Sequence, residues 1–200
     1  MAKSLGIHMG AIALSVCAVV AQSAAHVYPL SEESVREAYF LGRSTDAEKL
    51  AKFLGQYVRH FPYPINGPYV GEIELRTPYE QVVLRSWQNS TGYSAQQAQK
   101  DYAAQPDFVV VRVAIYLTPT YAGTSQDFWR EFPIRVVQGQ TIEPKKVSGK
   151  RLYKGRRGLG GAEVLLELDA AQVESGTVRV EVTKPDGKIV RAEFDLNKLK

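Results

Sequence analysis

The sequence predicts a mainly β fold, an antiparallel β-sandwich preceded by a short N-terminal helical hairpin. From Tyr69 onward, short runs rich in β-branched and aromatic residues follow one another with turn residues between them. No long helices alternate with those runs, which argues against a parallel α/β sheet. Ahead of Tyr69, apolar residues instead recur at three- and four-residue spacing.

Residues 1–25 read as an export signal. Lys3 supplies a short positive region, and "GAIALSVCAVVA" from Gly10 supplies an apolar core too short to span a bilayer comfortably. Small residues in "SAA" place the cut after Ala25, with cleavage after Ser23 as the nearest alternative. Two rival readings are a lipoprotein signal ending at Cys17 and an uncleaved N-terminal anchor. Val16 is bulky where a lipoprotein signal needs a small residue. The expectation is an exported chain, periplasmic or secreted, with the signal as its only membrane-directed segment. Cys17 is the single cysteine, so cleavage leaves no thiol for disulfides, thiolate metal sites or cysteine nucleophiles.

Residues 26–68 are expected to hold the helices and a proline-rich connection. Ser31 precedes "EESVREAYFLG", with Glu32 and Glu33 where they favour the positive end of the helix dipole and Gly42 at the stop. Thr45 and Glu48 form a capping-box pattern ahead of a stripe of Leu50, Phe53, Leu54, Tyr57, Val58 and Phe61. "FPYPINGP" then ends the helix and serves as the connection.

Residues 69–200 are expected to form the sandwich. "YVGEIELRT" and "YEQVVLRSW" read as strands, and "FVVVRVAIYLT", nearly apolar on both faces, reads as a central one. "SAQQAQKDYAA" between them reads as a short helix capped by Ser94. "DFWREFPIRVV" and "AEVLLELD" read as further strands. In "GTVRVEVTKPDGKIVRAEFDL", Val178, Val180 and Val182 alternate with Arg179 and Glu181 on either side of a "KPDG" turn, which predicts a hairpin with one wet face. Over Tyr69 to Lys200 this patterning resembles the architecture of immunoglobulin-like sandwiches, without their Cys–Trp–Cys signature.

The residue types needed for common catalytic sites are sparse. Beyond the signal there are two histidines, His26 and His60, and no HExxH pair, GxSxG elbow or SxxK spacing. Glu72 and Glu74 lie two apart on one strand face, where they repel each other and are expected in water. These observations predict a non-enzymatic protein with no cofactor and no metal.

The seven cations of "KKVSGKRLYKGRRGLGG", Lys145 to Gly161, carry the chain's basic character. Setting them aside turns 25 bases against 21 acids into 18 against 21. A single basic stretch on a mildly acidic body does not suggest nucleic-acid binding. The stretch is expected either to be a solvated connection or to bind a protein partner or an anionic surface through Lys150, Arg151, Lys154, Arg156 and Arg157. The aromatic candidates are Trp87 and Trp129, beside Tyr93, Tyr102 and Tyr121, whose rings could stack on a sugar or a peptide. The functional expectation is an exported binding or scaffold protein, with a carbohydrate-binding or enzyme-accessory module as the alternative.

Overall fold

A computed structural model describes residues 28–89, 91–105, 107–121, 125–155 and 158–200. The export signal with Cys17, and Arg156 and Arg157 of the basic stretch, lie outside the described residues.

The first helix starts as its sequence implies. α1, Glu32–Gly42, is capped by Ser31, whose side chain accepts from the Ser34 amide. α2, Ala47–Gly55, is capped by Asp46 rather than Thr45, with the Lys49 amide donating to the Asp46 carboxylate at 2.9 Å. It also stops earlier than its apolar stripe suggested. Val58–His60 is a short strand, β1, which pairs antiparallel with β2, Pro68–Arg76. Tyr57, Val58 and Phe61 therefore lie beyond the helix. Sheet pairing accounts for the difference: the Leu75 amide donates to the Tyr57 carbonyl at 3.0 Å, and the Phe61 amide to the Gly71 carbonyl at 2.9 Å.

The segment "YEQVVLRSW", expected as a strand, is helical. α3, Pro78–Gln88, begins at the N-cap Thr77, with Pro78 in the first turn, where its missing N–H costs nothing. Its buried Tyr79, Val82, Val83 and Ser86 fall at i, i+3, i+4 and i+7, so one face suits a helical layer despite the β-branched content. α4, Ala95–Ala103, is capped by Ser94 as expected.

The remaining strands are β3 (Phe108–Leu117), β4 (Ile134–Gln138), β5 (Gln140–Ile142), β6 (Lys146–Tyr153), β7 (Leu159–Asp169), β8 (Thr177–Thr183) and β9 (Ile189–Asp195). "DFWREFPIRVV" divides into a 3-10 turn at Phe128–Glu131 and β4, with Pro133 immediately before the strand. Two antiparallel sheets result, of order β1-β2-β3-β7-β6 and β5-β4-β8-β9. β3 is central, as its apolar sequence implied. The "KPDG" hairpin forms between β8 and β9: the Gly187 amide donates to the Lys184 carbonyl at 2.9 Å, and Gly187 takes the positive φ of 79° that the turn requires.

The sheets face a shared core in a sandwich-like arrangement. Ile73, Val111, Val113, Val164 and Leu166 come from the five-stranded sheet, and Val136, Val178, Val180, Val182 and Phe194 from the four-stranded one. The four helices enclose a second core of Val35, Ala38, Leu50, Tyr79, Val82, Val83 and Ala98. No helix among the described residues is long and apolar enough to cross a membrane.

Candidate functional site

The basic stretch is built differently from a free connection. Its first half is β6, an edge strand of the five-stranded sheet, paired along its length with β7. Lys145 reaches the Asp169 carboxylate at 2.7 Å, Lys146 reaches Glu167 at 3.1 Å, and Arg151 reaches Asp127 at 3.0 Å. Arg151 also donates to the Gln126 carbonyl. Lysines along an edge strand repel the approach of another strand. Lys150 and Lys154, by contrast, have no carboxylate in ion-pair contact among the described residues.

The two tryptophans lie on different parts of the fold. Trp129, in the 3-10 turn, rests half-buried against Gly149 of β6, where an added Cβ would come within 2.3 Å of its ring. Arg130 stacks over the same ring at 4.9 Å. Trp129 and Arg151 are thus brought together around the 125–131 segment, and both hold β6 to it. Trp87 lies on α3 and is 54% exposed.

The carboxylates of β2 do not stand free in water. Arg112, on the same outward face of β3, contacts Glu72 at 3.1 Å, Glu74 at 3.4 Å and Glu163 of β7 at 2.5 Å. Arg76 contacts Glu74 at 2.7 Å. One guanidinium therefore joins three strands, and the repulsion expected between Glu72 and Glu74 is offset across the register. The Arg112 guanidinium is held more firmly protonated than usual: burial opposes its charge, and the carboxylates of Glu163 and Glu72 outweigh it.

A cleft lies elsewhere, between α1 and α2. It has a volume of about 800 Å³, within the range of small-molecule sites. Phe40, Leu41, Phe53 and Tyr79 supply its apolar surface, and Phe40 is 55% exposed. Arg43, Lys49, Lys52 and Lys200 line it against a single carboxylate, Glu37. Lys200 is engaged with that carboxylate at 2.6 Å and lies over the Tyr79 ring at 5.4 Å. Arg43 donates to the Asn89 carbonyl at 3.3 Å. Burial, then the Glu37 charge, holds the Tyr79 hydroxyl above the ordinary phenol range, so it remains a neutral donor.

Sequence reading missed this cleft. The lysines occupy the polar face of an amphipathic helix, which looks like any solvated face, and Tyr79 and Lys200 come from distant positions. The apolar stripe through Leu50 and Phe53 was the one available signal. Among the described residues no group of three or more potential ligands could hold a metal ion. The sequence matches no protein-family model and none of the curated proteins.

Proposed function

We propose that the chain is an exported, non-enzymatic binding protein that takes a small anionic ligand with an apolar body into the cleft between α1 and α2. One observation carries this reading: four cations and one carboxylate surround an aromatic-lined cleft of about 800 Å³. Cations steer and orient an anion, while Phe40 and Phe53 cover its apolar part. The basic stretch supports the reading less well, because Lys145, Lys146 and Arg151 are engaged with Asp169, Glu167 and Asp127. In the same reading the two sheets form an immunoglobulin-like scaffold, and α1 and α2 form a hairpin whose inner side lines the cleft. The N-terminal signal motivates the export, and the antiparallel pairing around one core supports the scaffold.

The dye 8-anilinonaphthalene-1-sulfonate, an aromatic monoanion, tests the site. Its titration should show one saturable site per folded chain, weakened at least fivefold by Phe40→Ser without a change in melting temperature. Absence of a saturable site, or a site indifferent to Phe40→Ser, would sink the reading.

A further inference from the structure

Lys49 and Lys52 of α2 are three residues apart, a spacing that puts their side chains side by side on one helix face. Both are exposed and both line the cleft. The other cations there already have partners: Lys200 has Glu37, and Arg43 has the Asn89 carbonyl. Among the described residues, neither Lys49 nor Lys52 has a carboxylate in ion-pair contact. Two like charges at this spacing repel each other, and a single negative charge shared between them would leave the pair half compensated.

Resting on the reading of the cleft given above, we infer that its ligand carries a dianionic phosphoryl group that bridges Lys49 and Lys52, with the apolar part against Phe40 and Phe53. A phosphomonoester carries close to two charges at neutral pH and offers three acceptor oxygens, enough to accept from both ammonium groups at once. Lysine suits such a site because each ammonium is a compact point charge that needs no fixed planar geometry. A carboxylate or sulfonate of the same shape fits the apolar part equally but, with one charge, neutralises only half of the lysine pair.

Competition against the bound dye separates the two levels of the argument. Phenyl phosphate and benzenesulfonate present the same ring and a similar tetrahedral head, with two charges and one. At pH 7.5 and matched ionic strength, phenyl phosphate should displace the dye at least threefold more tightly than benzenesulfonate. In the double variant Lys49→Gln/Lys52→Gln that preference should fall to about one, with the circular-dichroism melting curve unchanged because both positions are exposed. Equal competition in the wild type, or a preference that survives in the double variant, would overturn the phosphoryl assignment while leaving the cleft as an anion site. Failure of the dye itself to bind would overturn both. The source of the phosphoryl group is read by co-sedimentation with phosphatidylcholine vesicles with and without phosphatidic acid. Capture by phosphatidic acid that the double variant loses supports a lipid headgroup. Displacement by phenyl phosphate without capture supports a free phosphomonoester.

Discussion

Glu80 is fully buried in α3, and neither of its carboxylate oxygens has a hydrogen-bond partner among the described residues. Burial first, and the Glu74 charge second, push its pKa up from an ordinary 4.5 to about 8, against a smaller pull down from Arg76. The carboxyl is thus protonated at neutral pH. Its folded-state pKa lies above its unfolded value, so the folded chain binds the extra proton between about pH 4.5 and pH 8. The stability linked to that proton is fully present below pH 4.5 and is lost as pH rises through about 8. Glu80→Gln, a neutral isostere, should leave stability at pH 5 nearly unchanged and raise it by several kcal/mol at pH 9, flattening the dependence of unfolding free energy on pH. A variant with the same alkaline loss as the wild type would show that Glu80 is not the titrating group. Arg112 makes the converse case, because removing it takes the guanidinium from Glu72 and Glu163 and leaves Glu74 with Arg76 alone. Arg112→Leu should cost about 2–4 kcal/mol at pH 7, read by urea denaturation, and a loss under 1 kcal/mol would mean that solvent compensates Glu72, Glu74 and Glu163.

At the scale of elements, α3 depends on its cap. The Thr77 hydroxyl accepts from the Glu80 amide at 3.2 Å and donates to the Lys200 main-chain oxygen at 2.5 Å, so one side chain ties the start of α3 to Lys200. Thr77→Ala should cost about 1–2 kcal/mol and Thr77→Ser much less, since serine keeps the hydroxyl. Equal losses in the two variants would assign the effect to the methyl group instead. Thr77 and Pro78 are also the reason why α3 could have been read in the sequence: they mark a helix start ahead of residues whose β-branched content suggested a strand. Elements governed by local chemistry were legible, such as the Ser31 and Ser94 caps, the "KPDG" turn and the central apolar strand. Elements governed by pairing were not. Val58–His60 became a strand because β2 lies beside it, and the basic stretch became β6 because β7 offers a full antiparallel register. The cleft was illegible for the same reason, as Glu37, Lys49, Tyr79 and Lys200 meet only through tertiary packing.

Across the whole molecule, the joints between the helical core and the sandwich core decide whether the chain unfolds in one step. Phe53 packs against both cores, with its ring 5.1 Å from Tyr57 on the sandwich side and 5.9 Å from Tyr79 on the helical side. Tyr57 is buried, donates to the Lys200 carbonyl at 2.9 Å and accepts from the Lys200 amide at 3.1 Å, while the Lys200 ammonium reaches Glu37 of α1. α3 follows β2 with only Thr77 between them. Opening either core alone would expose the Phe53 and Tyr57 rings, each worth about 1.5–3 kcal/mol of burial, and break the bonds to Lys200. One cooperative transition is therefore expected. The chain's two tryptophans report it separately, since Trp87 sits in the helical layer and Trp129 against β6. In Trp129→Phe and in Trp87→Phe, the urea midpoint of the remaining tryptophan's fluorescence should coincide with the far-ultraviolet circular-dichroism midpoint of the same variant. Phe53→Ala should lower both midpoints together by the equivalent of about 2–4 kcal/mol, because it weakens the shared joint. If the Trp87 signal instead melts ahead of the Trp129 signal in otherwise unaltered protein, the helical layer opens independently of the sandwich, and the cleft between α1 and α2 belongs to a separately unfolding unit.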